Sequence, residues 1–212
     1  MEEKQLKTGT TTVGLVCKDG LVLAADRRAT AGYFLASKKV EKVLKITEDI
    51  AVTIAGTVSD IQLVIKIIKA ELKLKELRTG KINTVKEAAN LLSGIVYNNI
   101  RKFSVIPGIS HFIIGGKDDK GYHMYDLSPD GSITEISDYV ASGSGSVFAY
   151  GVLESNFKAN LTEDQGIELA MNAINASTNR DIMSGQGIDI FAIDNKGVRK
   201  VLTKMLNTKL SK

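Results

Sequence analysis

Apolar residues recur along this chain with two different periods, and the points where the period changes divide it into elements. Residues 11–18 and 21–25 are rich in β-branched and aliphatic side chains and read as two strands. Asp19-Gly20 lies between them and suits a two-residue type I′ turn, in which both positions take positive φ. A second pair, 43–47 and 50–55, flanks Glu48-Asp49, with Ala55-Gly56-Thr57 as a turn beyond it. The period then lengthens. Ile61, Val64, Ile65, Ile67, Ile68, Leu72 and Leu74 repeat at helical spacing, with Ser59 as the cap and Gly80 as the stop. Thr84 and Glu87 form a capping box for a second helix, whose Val85, Ala88, Ala89, Leu92, Ile95, Val96 and Ile100 continue toward Pro107-Gly108.

Strand patterns return at 112–115, 122–127 and 133–139, separated by the turn-forming stretches Asp118-Asp119-Lys120-Gly121 and Ser128-Pro129-Asp130-Gly131. A Gly/Ser loop at 142–146 opens a short helix to about 156, and Thr162 with Gln165 boxes another running to about 180. Two last strands, 188–194 and 198–202, meet at Asn195-Lys196-Gly197. The order is strands, helix pair, strands, helix pair, strands, without the strict alternation that builds a doubly wound parallel sheet. It predicts an α+β fold in which each of two antiparallel sheets is covered on one face by a helix pair. The remaining apolar faces bury each other, giving a four-layer αββα sandwich.

Composition narrows the function. The 212 residues, 43% hydrophobic and 25% charged, fit one domain with a substantial core. The N-terminal Met1-Glu2-Glu3-Lys4-Gln5-Leu6-Lys7 lacks the apolar run of a signal peptide, and no segment approaches the roughly 18 apolar residues of a membrane span. A lone Cys17 cannot form an internal disulfide, which suits a reducing, cytoplasmic compartment and reads as a core thiol. The net charge of +4 is mild, the lysines are scattered, and with no Trp there is no evident platform for bases. A solvated surface explains these charges better than nucleic-acid or membrane binding. His111 and His123 have no second cluster of ligands at zinc spacing and read as ordinary strand residues; no metal or cofactor is expected.

Candidate chemistry begins at Lys7-Thr8-Gly9-Thr10-Thr11-Thr12-Val13-Gly14. If the Gly9-Thr10 bond is cut, Thr10 carries a hydroxyl and a free α-amine, so nucleophile and general base reside in one residue. Taken alone the run reads more readily as an ordinary strand start. Asp26 ends an apolar strand beside Arg27 and Arg28, and Lys42 opens the next strand pattern. An Asp26–Lys42 ion pair beside Thr10 would favour its alkoxide and unprotonated amine; a solvated cluster of Lys38, Lys39 and Lys42 is the alternative. Gly143-Ser144-Gly145-Ser146 lacks the ending of a phosphate loop and the spacing of a hydrolase nucleophile elbow. It reads either as a plain capping loop or as hydroxyl support for a nearby nucleophile. Arg180-Asp181 with Ser184-Gly185 reads as helix-termination chemistry or as part of the same support.

The joint pattern of these segments, with Thr53-Ile54-Ala55-Gly56 and Tyr150-Gly151-Val152-Leu153-Glu154, closely resembles the β-subunits of the archaeal 20S proteasome from Gly9 to about Val201. The resemblance implies the N-terminal-nucleophile hydrolase fold, with residues 1–9 as a propeptide removed autocatalytically at Gly9-Thr10 and 10–212 as a threonine peptidase domain. Thr10 would be the nucleophile and Asp26 with Lys42 its supporting pair. Ser144, Asp181 and Ser184 match the family's positions around the threonine amine, and the Gly56 N–H matches its oxyanion donor. Ala29, Thr30, Val40, Ile54 and Val58 would surround the pocket for the residue before the cut. None of them is charged, which implies preference for apolar side chains. Asp26 departs from the Glu often found in close archaeal relatives, although active members of the wider family also use Asp. The family further implies an α7β7β7α7 barrel of α- and β-subunits, fed with unfolded protein by an ATPase ring. Two alternatives remain: a structural β-type ring subunit that keeps its leader, and an N-terminal-nucleophile amidohydrolase acting on small amides.

Overall fold

The computed structural model describes residues 9–104 and 108–206. Its elements run β1 (Thr12–Cys17), β2 (Gly20–Asp26), β3 (Ala29–Ala31), β4 (Phe34–Ser37), β5 (Val43–Lys45), β6 (Ile50–Gly56), α1 (Val58–Thr79), α2 (Val85–Ile100), β7 (Ser110–Asp118), β8 (Gly121–Leu127), β9 (Ile133–Ile136), β10 (Tyr139–Ser142), α3 (Ser146–Asn156), α4 (Glu163–Thr178), β11 (Gly187–Asp194) and β12 (Gly197–Met205). Two five-stranded antiparallel sheets, ordered β10-β1-β2-β11-β12 and β5-β6-β7-β8-β9, carry the core, and β3-β4 forms a separate ribbon.

Strand alternation explains why there are four layers. Val13, Leu15, Val22, Ala24, Ile188 and Ile190 point from the first sheet toward Leu153, Leu169, Ala170 and Ala173 of α3 and α4. Their neighbours Leu21, Leu23, Phe191 and Ile193 point the other way and meet Ala51, Ile113 and Met124 of the second sheet. That sheet turns Ile50, Val52, Phe112, Ile114 and Leu127 outward onto Ile61, Ile65, Ile68, Ala88 and Leu92 of α1 and α2. Both faces of each central strand are therefore dry, and the αββα sandwich follows.

Local signals place most boundaries. Thr84 and Thr162 each accept from the N–H three residues on, while Glu87 and Gln165 accept from the cap N–H groups, so both capping boxes form. Gly80 ends α1 in the left-handed region at φ 67°. Other expectations need correction. Thr57, not Ser59, occupies the cap of α1. Ile67 and Leu74, predicted on its buried face, are 37% and 42% exposed, because the stripe that reaches the sheet is the narrower Ile61, Val64, Ile65, Ile68 and Leu72. The helix expected to approach Pro107 ends at Ile100, and Pro107 itself lies outside the described residues.

The segment 133–139 is two strands. β9 pairs with β8 in the second sheet, then the chain crosses at Ser137-Asp138 so that β10 pairs with β1 in the first. The first hairpin forms as predicted, but for a different reason. Its loop is Lys18-Asp19, Cys17 pairs with Gly20, and none of Lys18, Asp19 and Gly20 has positive φ. Glycine is needed at 20 because a β-carbon there would strike the Ile193 carbonyl of β11. The short β3–β4 ribbon was not anticipated; its tip, Tyr33 and Phe34, is exposed.

Candidate active site

The site lies at one open end of the sandwich, where the first sheet's strands stop. Thr10 precedes β1 and is 6% exposed. The neighbouring strand β2 ends in Asp26, which the pairing of Thr12 with Ala25 brings beside Thr11. Asp26 is fully buried and accepts four donors: Lys42 Nζ at 2.7 Å and Thr11 N at 2.9 Å on Oδ1, Arg28 N at 3.0 Å and Gly185 N at 2.9 Å on Oδ2. An ionised carboxylate has only acceptor sites, and this set meets them. Lys42 directly precedes β5 in the other sheet, and its carbonyl accepts from Ile54 N at 2.9 Å. The predicted pair is thus real, buried, and spans the two sheets. Burial is the main force pulling the Lys42 pKa below its ordinary value, and the attraction of Asp26 only partly offsets it.

Lys42 also reaches the residue before Thr10. Its Nζ donates to the Gly9 carbonyl at 3.2 Å, and Thr10 Oγ1 donates to the same oxygen at 2.7 Å. Arg27 turns aside to pair with buried Asp189 at 2.6 Å. Arg28 instead donates to the Ile182 carbonyl at 2.6 Å, tying the end of β2 to the loop after α4.

That loop and the one after β10 form a polar wall. Thr10 N donates to Ser144 Oγ at 3.3 Å, and Ser144 donates to Asp181 Oδ2 at 2.6 Å. Ser184 Oγ donates to the same carboxylate oxygen at 2.6 Å, and lies 2.8 Å from Thr11 Oγ1. Since the Ser184 proton is committed to Asp181, Thr11 is the donor of that contact. Three residues predicted from distant segments therefore converge on Thr10 and Thr11. The sequence reading missed the parts played by Thr11 and by the Gly185 N–H. Thr11 carried only a strand signal, and its partner is 173 residues away.

On the opposite side a cavity of about 470 Å³ opens, bounded by Thr10, Ala29, Thr30, Val40, Ile54, Gly56 and Val58 among others. All five predicted pocket residues line it. Leu44, Ile61 and Ile65 add apolar wall that the sequence reading did not include. Charge is present too. Arg28, Glu41, Lys42 and Lys66 border the cavity, so its lining is less uniformly neutral than the predicted set. Of these, Lys42 is bound to Asp26 and Glu41 to Lys200 at 2.8 Å.

The remaining candidates stand apart. Cys17 is buried at the far end of β1, and burial pushes its thiol up to about 12, unfavourable for a thiolate nucleophile. His111 contacts Asp126 at 2.7 Å, while His123 lies between Asp118 and Glu135 at 3.6 and 3.4 Å, all on the second sheet. Among the described residues no group of three or more His, Cys, Asp or Glu is placed to hold a metal, and no helix is long and apolar enough to cross a membrane.

A four-layer sandwich with a threonine at the entrance to β1, backed by an intersheet carboxylate–ammonium pair, has the architecture of the N-terminal-nucleophile hydrolase class. Comparison with known proteins narrows the class to one family. The family model described as "Proteasome subunit" matches residues 6–193, and this chain belongs to that family. It is 46% identical to the proteasome subunit beta of Ferroglobus placidus over 188 residues, covering 89% of this chain and 88% of the relative. Identity is 45% over 193 residues with that of Archaeoglobus fulgidus, covering 91% and 89%. With the Methanococcus maripaludis protein it is 43% over 197 residues, covering 92% and 88%.

Proposed function

We propose that this chain is a catalytic β-subunit of the proteasome core particle, a threonine endopeptidase that activates itself by cutting Gly9-Thr10. The observation that carries the reading is the placement of Thr10 between the Asp26–Lys42 pair and the Ser144, Asp181 and Ser184 network, at the mouth of an apolar cavity. The relatives named as proteasome beta subunits support it.

In the uncut chain, Thr10 Oγ1 and Lys42 Nζ both contact the Gly9 carbonyl oxygen. Attack of Oγ1 on the Gly9 carbonyl carbon forms an ester and breaks the Gly9-Thr10 C–N bond, and the hydroxyl proton passes to the departing nitrogen. That step frees the Thr10 α-amine; water then hydrolyses the ester, releasing the leader's carboxylate and restoring the Thr10 hydroxyl. Lys42 favours negative charge developing on the carbonyl oxygen during that attack. Before the cut, Thr10 N is an amide and cannot serve as a base, so the precursor is inert toward other peptides.

After the cut the amine accepts the Thr10 hydroxyl proton, directly or through water, as Oγ1 attacks a substrate carbonyl. The leaving peptide takes that proton with its new amino group, and water resolves the acyl-enzyme. Ser144 beside the amine, held by Asp181, which also accepts from Ser184, orients it. The Gly56 N–H is assigned as the oxyanion donor, a role worth about 10²–10³ in rate in other hydrolases. The cavity takes the side chain preceding the cut and favours apolar ones. Seven-membered α- and β-rings stacked as α7β7β7α7, an ATPase ring and unfolded substrates in the cytoplasm complete the reading.

The test is the intact mass of the chain co-assembled with α-subunits, wild type against Thr10→Ala. Loss of residues 1–9 from the wild type alone, together with peptide hydrolysis, is expected. Retention of the leader in an assembled wild-type particle would favour the structural ring subunit.

A further inference from the structure

We infer that Met183 is the residue that restricts the position before the self-cleavage point to glycine, and that the apolar lining of the substrate pocket takes no part in that choice. The inference rests on the proposed self-cleavage at Gly9-Thr10.

Gly9 is clamped between Thr30 and Met183. Its N–H donates to Thr30 Oγ1 at 3.2 Å, and that hydroxyl donates to Met183 Sδ at 3.2 Å. A β-carbon on residue 9 would land on Met183 Cβ and lie 2.7 Å from Met183 Cα. The obstruction is thus the start of the Met183 side chain and its backbone, not a flexible tip that can swing away. The loop carrying Met183 is also held in place. Met183 N donates to Asp181 Oδ1 at 3.0 Å, the preceding carbonyl of Ile182 accepts from Arg28, and Gly185 N binds Asp26. A side chain at 9 would have to displace either this loop or the Gly9 carbonyl that Thr10 Oγ1 and Lys42 contact. A shift of about 1 Å at a reacting centre can cost on the order of 10²-fold in rate.

Met183 does not border the cavity. The missing side chain of Gly9 would therefore point at the polar wall, away from Ala29, Val40 and Ile54. The same nucleophile consequently works under two filters that meet at Thr30: Met183 for the leader and the apolar cavity for substrates.

The experiment follows leader removal by intact mass in particles assembled with α-subunits, so that misfolding shows as lost assembly. Gly9→Ala is expected to slow removal by at least about tenfold, as overpacking of a rigid site does. Adding Met183→Gly, which deletes the obstructing β-carbon and leaves only the close backbone contact, recovers part of the rate, whereas adding Met183→Ala, which keeps the β-carbon, does not. Met183→Gly alone leaves the ranking of peptide substrates unchanged. Normal processing of Gly9→Ala, an assembled double variant no faster than Gly9→Ala, or equal rescue by alanine would overturn the inference. Leader retention by the wild type would instead refute the peptidase reading, and the inference with it.

Discussion

Thr10 sits between two walls of different construction. On one side, Asp26 with Lys42 and Ser144 with Asp181 and Ser184 form two sets of hydrogen bonds joined through Thr11, with Asp26 and Ser184 wholly buried and Lys42 nearly so. On the other, aliphatic side chains from β6, α1 and the segments around β3 and β5 surround open space. Removing a buried member of the first wall, such as Lys42 or Ser184, strands the group it served. Altering the second changes only the volume offered to a ligand. Chemistry and preference are therefore separable in this molecule, and substitutions on the two sides are expected to fail differently.

Lys42→Ala is the severest break. It leaves Asp26 buried with three backbone donors and no counter-charge, expected to cost about 3–5 kcal/mol of stability. It also removes the ammonium beside Thr10 Oγ1 and the Gly9 carbonyl. Leader removal is expected to stop and peptide turnover to fall by at least about 10³-fold. An assembled variant that retained a tenth of wild-type turnover would show that the intersheet pair only holds the fold together. Ser184→Ala is milder. Asp181 Oδ2 keeps Ser144, but Thr11 Oγ1 loses its acceptor, so a loss of about tenfold in kcat and about 1–2 kcal/mol in stability is expected. An unchanged kcat would remove Ser184 from the working wall.

On the pocket side, Val58→Ala deletes two methyl groups from a residue that is 50% exposed at the start of α1. Stability should hardly move. The ratio of kcat/KM for phenylalanine-ended over leucine-ended peptides is expected to rise by about three- to tenfold, within what one or two methylenes are worth in an apolar site. Leader removal should stay at the wild-type rate. A variant that slowed self-cleavage as much as substrate turnover would collapse the distinction between the walls.

The two walls were also unequally legible in the sequence. Capping boxes at Thr84 and Thr162 are local, so they were readable from residues three apart. The sandwich followed from element order, since two sheets with dry faces on both sides leave few other arrangements. The polar wall was different: Lys42 read either as the partner of Asp26 or as one of several clustered lysines, and the resemblance to a known family decided between them. Thr11 with Ser184 and Gly9 with Met183 pair across more than half the chain, so no local pattern could show them. The crossing between β9 and β10 was hidden for a related reason. Residues 133–139 keep one apolar rhythm, while the exchange of sheets at Ser137-Asp138 depends on which strand waits on either side. Gly20 is a further case, where a turn signal gave the right hairpin although the glycine answers to a carbonyl of β11.

The smallest expected effect concerns pH, and it sharpens the contrast because the buried Lys42–Asp26 charge pair belongs to the polar wall. Burial lowers the Lys42 pKa from the ordinary 10.5, with Arg28 adding a smaller push in the same direction. The ammonium proposed to assist Thr10 is present below the lowered value and disappears as pH rises through it. Activity should therefore decline on the alkaline side before the ordinary lysine range is reached. Stability moves the opposite way. Between the lowered value and 10.5 the folded chain has released a proton that the unfolded chain still holds, so unfolding takes up a proton and this group's contribution to stability rises with pH. Measured together, kcat/KM in the mature particle should fall while Tm shows no parallel loss traceable to Lys42. If both declined along one curve, the alkaline limb would report unfolding instead of the loss of one buried charge.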